Sequence, residues 1–134
     1  MPSDGFYEWQ KRGGKTQTYA IVPEDGAIFA FAGLWERWRN PADSSILRSF
    51  TIVTGLPNPL TRPIHERMPV ILPKAVWPLW LGEAEASLDE LLALLSPYPA
   101  ELMRAYPIGP AVGNVKNDEP GLLAPLAVEA IAQA

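Results

Sequence analysis

Apolar positions in this chain fall in short runs broken by turn-forming residues, a pattern that favours strands over long helices. Thr18-Tyr19-Ala20-Ile21-Val22, Ile28 to Leu34 and Phe50-Thr51-Ile52-Val53-Thr54 are rich in aromatic and β-branched residues and are bounded by Pro, Gly or Asp, which predicts a strand at each. Met68 to Leu72 predicts a further short one. Asp25-Gly26, between the first two runs, predicts a hairpin turn, because glycine tolerates the positive φ of tight turns. Lys11, Arg12 and Lys15 around Gly13-Gly14 read as a solvated hairpin tip. The clearest helix opens at Ser87, with Glu90 completing a capping box; Leu88, Leu91, Leu92 and Leu95 share one face and Pro97 limits it. Residues 74–82 predict a shorter helix broken or bent at Pro78, with Trp77 and Trp80 in the core. Leu122 to Ala132 predicts a terminal helix interrupted at Pro125. Asn114 to Pro120 is a structural loop. The result is one α+β domain over residues 1–134, β-rich in its first half.

Composition narrows the class. Fifteen prolines in 134 residues are about twice the usual ~5% share, and they are spread through the chain, so long helices are few. The longest apolar run, Ala27 to Trp35, contains Gly33 and is too short to cross a bilayer. Met1-Pro2-Ser3-Asp4 shows neither the basic nor the apolar segment of a signal peptide, and a cytoplasmic, membrane-free monomer is expected. The absence of cysteine excludes disulfides, thiolate metal sites and a cysteine nucleophile within these residues. Residues 1–74 hold nine Lys/Arg against seven Asp/Glu, while residues 75–134 hold two against eight. The basic half suits an anionic partner, but the net charge of −4 argues for a small phosphate footprint.

Candidate chemistry centres on two places. His65, the only histidine, titrates near neutrality and can move protons at cellular pH; the alternative is a hydrogen-bonded structural histidine. Glu8 is flanked by Phe6, Tyr7 and Trp9, a setting that raises a carboxyl pKa by desolvation and suits general acid or base work; the alternative is a strand-end glutamate facing water. His65-Glu66-Arg67-Met68-Pro69 begins like a zinc-protease motif, but Pro69 stands where the second histidine ligand belongs, so no metal or other cofactor is implied. Gly13-Gly14-Lys15 lacks phosphate-loop spacing, and there is no Gly-x-Ser-x-Gly elbow. Trp35 with Arg37-Trp38-Arg39 reads either as a surface turn with a half-buried tryptophan or as cations interleaved with a stacking ring for single-stranded nucleic acid.

Four segments together resemble the SOS response-associated peptidase (SRAP) family: Pro2 to Lys11, Phe31-Ala32-Gly33-Leu34-Trp35-Glu36, Ser49 to Thr54 with Ile64 to Leu72, and Val115-Lys116-Asn117-Asp118 with Pro120. The resemblance implies a β-rich domain that shields abasic sites in single-stranded DNA. Its chemistry is a thiazolidine DNA–protein crosslink made by a cysteine after the initiator methionine, through a Schiff base with the ring-opened sugar, alongside a self-processing peptidase activity. Glu8 matches the glutamate that shuttles protons, and His65 matches the histidine that positions the sugar and supports reversal. Arg67 and Thr54 match positions that touch the DNA backbone. The family's opening Met-Cys-Gly-Arg and its later Asn-Ala-Arg segment are not in these residues, so the chain is expected to be the C-terminal portion of the domain. Three readings follow: a crosslinking lyase or peptidase when complete, a non-covalent single-strand-binding remnant, or an inactive fragment. If the family site is retained, Glu8 and His65, 57 residues apart, should meet in one cleft with Arg67 at its rim.

Overall fold

The computed structural model describes residues 1–127. In chain order the strands are β1 (Pro2–Ser3), β2 (Phe6–Arg12), β3 (Lys15–Pro23), β4 (Phe29–Ala30), β5 (Gly33–Arg39), β6 (Ile46–Ile52), β7 (Thr54–Gly55) and β8 (Met68–Pro69). Two short helices, α1 (Trp77–Leu81) and α2 (Leu88–Ala93), and strand β9 (Met103–Ile108) follow. A β-rich α+β fold is therefore what the chain adopts. Gly13 and Gly14, both at positive φ, close the β2–β3 hairpin, whose register runs from Phe6 opposite Ile21 to Arg12 opposite Lys15. The other edge of β3 pairs antiparallel with β9, giving a three-stranded sheet ordered β2-β3-β9.

The predicted strands are extended chain, but two of the runs are divided between partners. Ile28 to Leu34 is split: β4 pairs with β1, Phe31 bridges Ile71, and β5 pairs with β6. Phe50 to Thr54 breaks at Val53, between β6 and β7. At the break three backbones interlock, with Val53 N–H donating to Ala32, Ala32 N–H to Val70 and Val70 N–H to Val53, each at 2.9 Å. The Asp25-Gly26 turn forms, with Gly26 at positive φ, but it joins strands of different sheets and is no hairpin. Trp35, Arg37, Trp38 and Arg39 lie in strand β5 and not in a turn.

Residues 74–82 are interrupted, but at Val76 and not at Pro78: a 3-10 turn over Lys74–Val76 gives way to helix α1 at Trp77. The proline occupies the first turn, where no intrahelical N–H is required, and the helix ends at Gly82 in the left-handed conformation. Trp77 and Trp80 are partly buried against Ala32, Val70 and Leu72, and their indole N–H groups donate to the Leu72 carbonyl at 2.9 Å and the Gly33 carbonyl at 3.1 Å. Ser87 and Glu90 form the predicted capping box on α2. The predicted apolar face is only partly used: Leu94 and Leu95 pack inward, while Leu88 and Leu92 are exposed. Leu122 and Leu123 end a 3-10 turn over Pro120–Leu123, and Pro125 bridges Ile108, so no helix starts at Leu122; residues 128–132 of that expectation lie outside the described residues.

The core that matters for the site joins Ile21, Phe29, Phe31, Met68, Ile71 and Met103, with Phe6, Leu60, Ile64 and Tyr98 packed against it. Phe6 meets Phe31 edge-on at 5.8 Å between ring centres, a favourable arrangement for two quadrupoles. Phe6 begins the strand that carries Glu8, and Ile64 immediately precedes His65. One apolar cluster thus anchors both arms of the candidate site.

Candidate active site

Glu8 sits at the middle of β2. Side chains alternate across a strand, so Glu8 shares its face with Phe6 and Gln10, while Tyr7 and Trp9 point the other way. The half-buried carboxyl has its pKa raised, first by desolvation; the His65 imidazole and the Trp9 backbone N–H pull in the opposite direction. The charge of His65 acts on Glu8, 57 positions away in sequence.

His65 lies on the loop between β7 and β8. That loop is built on a buried polar knot: Asn58 and Thr61 are 3% and 0% exposed. The Asn58 side-chain carbonyl accepts from Leu60 N–H, Thr61 N–H and the Thr61 hydroxyl at 3.0–3.2 Å, and its amide donates to the Tyr98 carbonyl at 2.7 Å. The Thr61 carbonyl in turn accepts from Ile64 N–H at 2.8 Å and His65 N–H at 3.0 Å. Every buried donor and acceptor in the knot has a partner, as a rigid buried network requires.

The ring of His65 is exposed. Its Nδ1 lies 3.1 Å from the Arg67 backbone N–H and 3.0 Å from the Arg67 carbonyl. It accepts from the first when unprotonated and donates to the second when protonated, so this nitrogen keeps a partner in either state. Nε2 is left for other chemistry. Arg67 is fixed onto Thr54, the first residue of β7: Nε donates to the Thr54 hydroxyl at 3.0 Å and one terminal nitrogen to its carbonyl at 2.6 Å. One guanidinium edge is thereby occupied and the other faces solvent.

Of the four residues singled out by sequence, His65, Arg67 and Thr54 are linked by hydrogen bonds and Glu8 feels the charge of His65; together they make the candidate site. It is an open shelf and not a closed cleft, since His65, Arg67 and Thr54 are all exposed. Sequence reasoning missed Gln10, Asn58 and Thr61, which shape the support beneath it. Among the described residues no three His, Cys, Asp or Glu side chains converge to hold a metal ion, and no helix is long and apolar enough to cross a membrane.

The candidate site thus combines a strand glutamate of raised pKa, a loop histidine and an arginine latched to Thr54. The model of the SOS response associated peptidase (SRAP) family matches residues 1–115, and the chain belongs to that family. It is 40% identical over 124 residues to the abasic site processing protein YoqW of Bacillus subtilis, covering 92% of this chain and 55% of that protein. It is 33% identical to the abasic site processing protein HMCES of Gallus gallus, covering 92% of this chain and 42% of that protein. A crystal structure of a Bacteroides thetaiotaomicron protein superposes with a TM-score of 0.84 at 32% identity, over 94% of this chain and 55% of the other. The chain thus spans about half the length of the curated relatives it matches.

Proposed function

We propose that these residues form part of a site that binds single-stranded DNA at an abasic position and transfers protons to and from its sugar aldehyde. The observation that carries this reading is the electrostatic link between Glu8 and His65, with the Glu8 carboxyl held above its ordinary range by desolvation. Forming an imine from an aldehyde and an amine removes protons from nitrogen and expels the carbonyl oxygen as water. One group must accept a proton and another must donate one at the same carbon. A carboxyl tuned upward and an imidazole whose Nε2 is left open can take those two roles.

Arg67 supplies the remaining element. With Nε and one terminal nitrogen bound to Thr54, its free edge is preset to meet a backbone phosphate, and a charge-assisted contact fixes the strand without reading its sequence. The chain is named for no covalent product here: closing a thiazolidine needs a thiol, and these 134 residues contain none. Non-covalent single-strand binding is the second reading, favoured by the exposed Arg67 guanidinium held on Thr54.

Fluorescence anisotropy separates the outcomes. An oligonucleotide with a central abasic site is expected to bind more tightly than the same strand with every base present. Arg67→Ala should weaken both by about 1–3 kcal/mol, the range for a hydrogen bond to a charged group. Equal affinity for the two strands favours the non-covalent reading, and no binding to either rejects both.

A further inference from the structure

The proposed chemistry leaves one buried group beside the site unused, the side-chain amide of Gln10. Gln10 is two residues beyond Glu8 on β2 and leaves the same face of the strand. It is 9% exposed. Its Nε2 donates to the Pro63 carbonyl at 2.5 Å, and its Oε1 accepts from the Tyr19 hydroxyl at 3.4 Å, which holds the amide in that orientation from the neighbouring strand. Pro63 lies two residues before His65.

The Asn58–Thr61 knot fixes the shape of the His65 loop, and the Arg67–Thr54 contact fixes its far end, but neither touches β2. Among the described residues, the Gln10–Pro63 contact is the hydrogen bond that joins the strand bearing the carboxyl to the loop bearing the imidazole. We infer that Gln10 is a positioning residue, whose amide sets how close Glu8 and His65 lie by clamping the Pro63 carbonyl to β2. Pro63 is a suitable anchor, because its ring fixes φ and its carbonyl direction is passed with little slack to Ile64 and His65. A satisfied buried amide with no such role would fill the same space, so the test must read the pair and not only the fold. For its functional meaning the inference rests on the proposed proton-transfer pair, but the test below uses no DNA, so either can fail alone.

The readout is the titration of the Glu8 carboxyl carbon by 13C NMR, assigned by its loss in Glu8→Gln. At the pH where carboxyls titrate, a histidine is ordinarily protonated, and its proximity lowers the Glu8 midpoint. His65→Gln should therefore raise that midpoint. The size of the rise measures the coupling, and it is compared within each Gln10 background. In Gln10→Met, which keeps the volume and removes the donor, the rise should fall to less than half its original size. In Gln10→Lys, which keeps a donor of similar reach, most of it should remain. If Gln10→Met gives no native amide spectrum, Gln10→Asn takes its place, since its amide falls one methylene short of Pro63. An undiminished rise in the variant lacking the contact would overturn the inference. So would a Gln10→Lys that loses the rise as fully as that variant does.

Discussion

At the scale of single residues, the site depends on how each titratable group is held. Glu8 pays for its half-buried position with a raised pKa, and the sign of the consequence can be worked out. The folded state holds the Glu8 proton to higher pH than the unfolded chain does, so over that interval the unfolded state binds fewer protons, and stability falls as pH rises through the window just above the ordinary carboxylate range. Glu8→Gln removes the ionisation. The variant should gain on the unsubstituted chain in urea midpoint as pH rises from about 4 to 7, and an unchanged difference across that range would refute the desolvated carboxyl. Glu8 and His65 were legible as candidates because each is a distinctive residue in a distinctive setting. Gln10, Asn58 and Thr61 were not, because an amide or hydroxyl in a turn-rich segment gives no sign of whether it will be buried. Only the tertiary fold makes Asn58 the centre of a loop and Gln10 a link to it.

At the scale of elements, extended segments were readable and their partners were not. The β-branched and aromatic content of Ile28 to Leu34 reports that the chain is extended and apolar. It cannot report that the pairing changes at Phe31, which depends on Met1, Ile71 and Val70 arriving from elsewhere. Pro78 signalled an interruption but not its place: a proline is accommodated in a helix's first turn, so the segment divides at Val76 and α1 starts at Trp77. Gly5 shows the same dependence on packing. A Cβ built there would stand 2.7 Å from the Ile21 carbonyl oxygen and 2.9 Å from the Val22 side chain, so the segment entering β2 passes β3 at a distance only glycine allows. Gly5→Ala is expected to cost about 1–3 kcal/mol, the usual penalty of overpacking, measured by urea unfolding. A loss below about 0.5 kcal/mol would mean the strand can shift outward freely, within the range of an ordinary surface change.

At the scale of the whole molecule, the fold brings a hairpin strand and a knotted loop together over one apolar cluster, and these two elements carry Glu8 and His65. On the β5–β6 ribbon Trp35 stands opposite Phe50, and both are open to solvent, 73% and 69% exposed. Under the proposed function, Glu8 and His65 act as one proton-transfer unit on an abasic aldehyde. The direct measurement is the initial rate at which borohydride traps an imine between the chain's amines and abasic single-stranded DNA near neutral pH, for the unsubstituted chain, Glu8→Gln, His65→Gln and the double variant. Each single variant should be slower by about 10²-fold or more, the usual contribution of a positioned acid or base. The double variant should lose little beyond the slower single one, as groups acting together do. Without borohydride the adduct should vanish on heating, since no thiol is present to close it. Rates in Glu8→Gln and His65→Gln equal to that of the unsubstituted chain would contradict the claim.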